Sequence, residues 1–179
     1  GINVAHNSKT LICQCSFRNS TYPAIAVCEK SFSLVQRCEI TDSMMSGLIV
    51  RTHSQATIEN CLITGSKTFG VCVSDSKGVI LRNTLLCRSE EAGICIYNHS
   101  YVVVKDSYII GPSKYGFNVF CGGVCSASNT TVVGTTESCC WVHHAGSGSF
   151  LKTTVDFRTL NQHDDVLASI KEIESQEKS

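Results

Sequence analysis

Three groups of side chains in this sequence have types and spacings that could do chemistry. Glu29 and Asp75 are acidic residues at equivalent places in a repeat. A carboxylate pair is the apparatus of glycosidic hydrolysis, one acid protonating the leaving oxygen while the other activates water. Cys121, Cys125, Cys139, Cys140, His143 and His144 form the densest set of metal-type ligands. Their spacing matches no zinc template, so no metal site is expected from them. Arg51 and His143 stand among Ile49, Tyr97, Phe120 and Trp141, a mixture that reads as a recognition surface rather than a reaction centre. No glycine-rich phosphate loop and no nucleophile motif occurs, so nucleotide chemistry and acyl transfer are disfavoured and no cofactor is implied.

What positions these residues is a repeat. The same pattern restarts at residues 1, 24, 47, 70, 93, 116 and 139, a spacing of 23 with no insertion or deletion. Counting each repeat from 1, position 4 reads Val4, Val27, Val50, Val73, Ile96, Val119 and Val142. Position 12 reads Ile12, Val35, Ile58, Leu81, Val104, Ala127 and Phe150, and position 17 reads Phe17, Ile40, Ile63, Leu86, Ile109, Val132 and Val155. Alternation at positions 2 and 4, and again at 15 and 17, predicts short strands, with a third strand over positions 10–13. Position 14 reads Gln14, Arg37, Asn60, Asn83, Asp106, Asn129 and Lys152, mostly types that tolerate the left-handed conformation of a sharp bend. Three strands per repeat with no helix between them describe one rung of a parallel solenoid. Seven rungs at about 4.8 Å rise roughly 30 Å.

Positions 3 and 5 flank the inward position 4 and face out. An outward sheet face is ordinarily polar, yet this one carries Ile49, Tyr97, Phe120 and Trp141, with Arg51 and His143 beside them. These six residues are the candidate partner-binding surface. Glu29 and Asp75 share position 6 two rungs apart, which gives about 9.6 Å, the outer edge of an inverting pair. No third acidic residue and no lysine column supports them, and solvated turn residues are the alternative reading. Cys121 and His144 also share position 6, on adjacent rungs, while Cys140 points inward and Cys125 lies past a corner. His53 and His99 read as exposed corner residues. Position 15 holds Cys15, Cys38, Cys61, Thr84, Ser107, Thr130 and Thr153, an inward slot for something small, where cysteine acts as a small hydrophobe.

The run of GIxV, a corner serine, then IxNC and an isoleucine resembles the right-handed parallel β-helix repeat family. The third repeat carries it best, in Gly47, Leu48, Val50, Ser54, Ile58, Asn60, Cys61 and Ile63. The resemblance covers about residues 1–157 and implies an all-β, right-handed parallel β-helix of about seven rungs. That family includes pectin-degrading enzymes, epimerases and eukaryotic interaction modules, so it does not choose a function. Compact, cysteine-rich, neutral rungs are most similar to the modules in some F-box proteins and in SHC SH2-domain-binding proteins. In the enzymes the first-strand face holds catalytic carboxylates and basic residues. Here Arg51 and His143 are the ionisable groups in its two outward columns.

Fifteen basic residues balance fifteen acidic ones, so neither nucleic acid nor anionic lipid is an expected partner. No apolar stretch approaches the roughly 18 residues of a membrane span. Twelve cysteines in a chain of 179 residues are not needed to staple so large a core. Free thiols and an intracellular, cytoplasmic setting are expected. Sequons at Asn19, Asn98 and Asn129 argue the other way, but such triplets arise by chance in Ser/Thr-rich turns. The rung pattern divides the chain into 1–157 and a C-terminal segment, 158–179. In that segment Val166, Leu167, Ile170 and Ile173 lie at helical spacing, with Asp164 and Asp165 before them and Lys171 and Lys178 after. An amphipathic α-helix capping the solenoid is expected there. Residue 1 already stands at position 1 of a rung, which predicts a fragment of a longer protein or an end-to-end or N-terminal-face dimer. The leading functional expectation is a non-enzymatic protein-interaction module of a larger protein. A carbohydrate-binding or carbohydrate-active domain is the alternative.

Overall fold

The structure, a computed structural model, describes residues 1–156. The β-branched, alternating stretches form strands because their inward members share one dry interior. The first rung supplies Ile2–Val4, Lys9–Cys13 and Ser16–Arg18, and the second supplies Ile25–Val27, Phe32–Gln36 and Glu39–Thr41. Each strand pairs in parallel with its counterpart one repeat on, as Ile2↔Ile25, Ile12↔Val35 and Phe17↔Ile40 show. From Tyr101 onward the corners merge into two long runs, Tyr101–Val119 and Val124–Val142. Each run carries the second and third strands of one rung and the first strand of the next. The result is an all-β parallel solenoid of about seven turns with three sheets along its sides.

The register is less uniform than the repeat spacing. Lys77 pairs with Tyr101 while Val79 pairs with Val102, so one residue is absorbed at Gly78, whose φ is +89°. A second irregularity separates Ile110↔Val133 from Ser113↔Thr135. Both are compensated within a rung, so the 23-residue offset resumes.

The core is the stack of inward positions. Ile25, Val27, Val35, Ile40, Leu48, Val50, Ile58 and Ile63 are completely buried and belong to one continuous cluster. Burying each such side chain is worth about 1.5–3 kcal/mol. The bend at position 14 is left-handed in every rung, from Gln14 (φ 55°) to Lys152 (φ 49°). Two consecutive left-handed residues make the other sharp corner, as at His6–Asn7, Glu29–Lys30 and Thr52–His53.

Position 15 is more than a small apolar slot. Cys38 Sγ donates to the carbonyl of Gln36 at 3.3 Å and to that of Ile12, one rung earlier, at 3.5 Å. Cys61 does the same to Glu59 and Val35, and Thr84 to Arg82 and Ile58. Ser107 and Thr130 donate to Lys105 and Ser128. The carbonyl before each of these bends already accepts a backbone N–H from the preceding rung, Gln36 from Gln14 and Arg82 from Asn60, and the thiol or hydroxyl is a second donor to it. This corrects the reading of these cysteines as plain hydrophobes and explains why Cys, Ser and Thr interchange there while Val does not occur. All twelve cysteines are free. The expected capping helix, with Val166, Leu167, Ile170 and Ile173, lies outside the described residues, as does the boundary at 157/158.

Candidate functional site

The outer face of the first sheet is built from two columns. In-register pairing stacks Ile49, Cys72 and Cys95 in one, followed by Asn118 and Trp141. The other column runs Arg51, Ser74 and Tyr97, then Phe120 and His143 just past the paired strand ends. Arg51 and Trp141 are exposed, and Ile49, Tyr97, Phe120 and His143 are half-buried. All six candidate residues therefore lie on one outer face, as the alternation required.

Four of them are in mutual contact. Tyr97 and Phe120 stack with centroids 5.1 Å apart and 3° between planes, and Phe120 stacks on His143 at 5.1 Å and 14°. His143 stacks on Trp141 at 4.0 Å, and Trp141 on Tyr115 at 4.7 Å. Five rings thus form one continuous ladder across the last three rungs, with Trp141 42% exposed at its open side. The inner rings spend their faces on one another and turn their edges to solvent. Ile49 and Arg51 stand two rungs before Tyr97 and do not join the ladder.

The ladder is electrically neutral. His143 Nε2 faces Asn118 Oδ1 at 3.3 Å, and its Nδ1 meets His144 Nδ1. Partial burial, together with the neighbouring His144, holds His143 below its ordinary pKa, so the imidazole stays uncharged near neutral pH. The Tyr115 hydroxyl donates to Glu137, and that bond raises the pKa of the phenol.

Between Arg51 and the ladder the outward face is closed rather than open. Cys72 and Cys95 are buried, at 6% and 1% exposure, although their side chains lie on the outer side of the sheet. Cys28 is likewise buried and donates to Asn3 Oδ1 at 3.3 Å.

A comparison with protein families matches residues 1–159 to the right-handed beta helix region family. The chain belongs to that family. No curated protein matches the sequence of this β-helix. A fold of this family serves both interaction modules and carbohydrate-related domains, and the match by itself selects neither.

In this β-helix each candidate carboxylate is engaged by a corner histidine. Glu29 Oε2 lies 2.5 Å from His6 Nδ1, and Asp75 Oδ1 lies 3.5 Å from His53 Nδ1, each across one rung. Both carboxylates are about half exposed, on a convex corner. Lys67–Glu90, Lys114–Glu91 and Arg82–Glu59 repeat the pattern elsewhere, opposite charges meeting on adjacent rungs. The cysteine–histidine set does not assemble. Cys125 is buried in the core, Cys121 is exposed, and among the described residues no three of His, Cys, Asp or Glu converge.

Two surfaces of the β-helix escaped the sequence reading. A groove of about 1130 Å³ follows the bend between the second and third sheets. Its walls are the position-14 ladder Arg37, Asn60, Asn83, Asp106 and Asn129 and the outward residues Leu62, Leu85 and Tyr108. Cys87, Ile110 and Val133 form a small second core beside it, on the outer side of the third sheet. The outer face of the second sheet carries Leu11, 63% exposed, with Leu34, Ile80 and Val103 in the same column. The signal for both was the same outward apolar excess that marks the first sheet, at positions 11 and 16.

Proposed function

We propose that this β-helix is a non-enzymatic interaction module that docks a protein partner on the outer face of its first sheet. Trp141, Phe120, Tyr97 and His143 form the centre of the docking face, and Ile49 and Arg51 flank it. The observation that carries this reading is the five-ring ladder with its exposed Trp141. A rigid, pre-stacked aromatic surface loses little entropy on docking, and Trp, Tyr and Arg dominate the energetics of protein interfaces. A pyranose, by contrast, lays its C–H face on an open ring face, and the inner rings of this ladder have none to offer. A hydrolytic site is disfavoured because Glu29 and Asp75 each hold a histidine at a convex corner. Similarity of the neutral, cysteine-rich rungs to the modules of F-box and SHC SH2-domain-binding proteins supports the same reading. So does the set of twelve free thiols, which fits an intracellular setting.

A carbohydrate-binding role is the second reading, and the groove favours it. One polar side chain per rung, from Arg37 to Asn129, offers evenly spaced hydrogen bonds to an extended chain. A glycan array and a polysaccharide-degradation screen separate the two readings. The docking proposal expects neither saturable glycan binding nor cleavage. Binding lost in Asn83→Ala, or cleavage lost in Glu29→Ala or Asp75→Ala, would replace it with the carbohydrate reading.

A further inference from the structure

We infer that the chain pairs with a second copy of itself, face to face and antiparallel, through the outer face of the second sheet. The inference does not depend on the docking proposal, which uses a different side of the solenoid. Positions 10 and 12 of each repeat feed the core, so positions 9, 11 and 13 face outward. That face is more apolar than a solvated sheet requires. Leu11 is 63% exposed, Phe32 37% and Tyr101 39%, and Leu34, Ile80 and Val103 are half-buried in the middle column.

Spacing and charge together point to a second copy as the occupant. Side chains recur on this face once per rung, about 4.8 Å apart, and another β-solenoid repeats at the same interval. A two-fold axis along the strands, between the third and fourth rungs, sets rung one against six, two against five and three against four. The register then fixes who meets whom. Phe32 meets the second copy's Tyr101, so the two exposed aromatics cover each other. Leu34 meets its Val103, and Thr57 meets its Ile80.

Charge selects this register over its neighbours. Gln36, Glu59, Arg82 and Lys105 are stacked at position 13. Within one chain, Gln36 Nε2 donates to Glu59 Oε2 at 2.9 Å, and Arg82 Nη1 lies 3.6 Å from Glu59 Oε1. The axis brings Glu59 opposite the second copy's Arg82, and Arg82 opposite its Glu59, which closes a ring of four alternating charges. Lys105 falls opposite Gln36. Moving the axis half a rung sets Glu59 against Glu59 or Arg82 against Arg82, and like charges face to face are repulsive. A parallel pairing sets position 9 against position 13, so Phe32 meets Gln36, Glu59 meets Gln55, and no opposite charges meet.

Six rungs by five residues give a face of about 29 Å by 16 Å, roughly 950 Å² of flat area over both copies. That is the lower edge of specific interfaces, so the pair forms at micromolar rather than nanomolar concentration.

Sedimentation velocity of the native protein from about 1 to 200 µM tests the pairing, with a reversible monomer–dimer equilibrium and a dissociation constant of about 1–100 µM expected. Two variants on the outward column test the register. Leu34→Lys and Val103→Glu each set a charge against an aliphatic side chain twice per dimer, and each alone should weaken pairing at least about ten-fold. An equimolar mixture of the two should recover a heterodimer, because one lysine then meets one glutamate and the other Leu34–Val103 contact is intact. Circular dichroism confirms that each variant is folded, and Phe32→Ser, at a more exposed site, should weaken pairing several-fold if either is not. The inference is overturned if the wild type stays monomeric throughout or if the folded variants pair as tightly as wild type. A mixture no more dimeric than its components would overturn the antiparallel register. A dimer lost in Trp141→Ala but kept in Leu34→Lys would move the contact to the first sheet and overturn the assignment.

Discussion

Tyr97 and Phe120, one rung apart, lie with ring centroids 5.1 Å apart and planes only 3° from parallel. That contact starts the ladder continued by His143, Trp141 and Tyr115, in which Phe120, His143 and Trp141 each stack on two neighbours. Phe120→Ala should lower stability by about 1–2 kcal/mol, of which roughly 0.5–1.5 is ring–ring interaction beyond simple burial. Trp141→Ala, at a ring that is 42% exposed, should cost less. Urea denaturation of the two variants checks the order, and a larger loss for Trp141 would contradict it.

The corner hydrogen bonds make a separate prediction. Thr84→Val keeps the volume but removes the hydroxyl that donates to the Arg82 carbonyl at 2.9 Å, leaving that carbonyl its bond from the Asn60 N–H alone. It should destabilise by about 0.5–1.5 kcal/mol. Cys38→Thr keeps a donor and should stay within about 0.5 kcal/mol of wild type. Equal costs for the two changes in denaturant titrations would show that position 15 is filled for volume alone.

Gly111 packs where a Cβ would lie 1.9 Å from the carbonyl oxygen of Gly134 on the next rung. Neither atom is on a flexible side chain, so Gly111→Ala should cost about 3 kcal/mol or more. Gly78 is the contrasting case. A Cβ there would meet nothing closer than the Gln55 side chain at 3.5 Å, leaving only the strain of its left-handed φ, about 1–2 kcal/mol. Thermal melts of the two variants should differ accordingly.

The buried thiol of Cys61 gives a pH dependence. Its pKa is pushed up from 9.0 to about 11, chiefly by burial. The folded state therefore holds this proton more tightly than the unfolded chain does. Its contribution is fully present below the unfolded value and is lost as pH rises from about 9 towards about 11. Cys61→Thr has no thiol to ionise, so it should lose less stability than wild type between pH 8 and about 10.5 by denaturant titration. Parallel pH profiles would contradict the shift.

The strands, the 23-residue stacking and the outward placement of Tyr97, Phe120, Trp141 and His143 were legible in the sequence. Period-two alternation fixes which side a residue faces, and an exact repeat fixes what lies above it. Side-chain partnerships were less legible. Nothing in the spacing of Glu29 and Asp75 shows that His6 and His53 have already claimed them. Nor does a column of Cys, Ser and Thr reveal a donor role until the carbonyl two residues before each of them is in view. Cys72 and Cys95 are buried although they lie on the outer side of the sheet, so alternation gives the side a residue faces but not its exposure. The groove was missed for a topological reason: it is concave only where two sheets meet, and no single strand carries it.

The most direct test of the docking face is site-specific photo-crosslinking of the protein in its own cells. A photoreactive phenylalanine analogue is placed at Trp141 on the first sheet, at Val103 on the second and at Asn83 in the groove. The account predicts one discrete partner adduct from position 141, competed by unlabelled wild type but not by a Phe120→Ala competitor, none from position 83, and from position 103 only a second copy of this chain. A partner adduct confined to position 103 or 83, or one that the Phe120→Ala competitor displaces as well as wild type does, would contradict the assignment of the aromatic ladder as the docking surface.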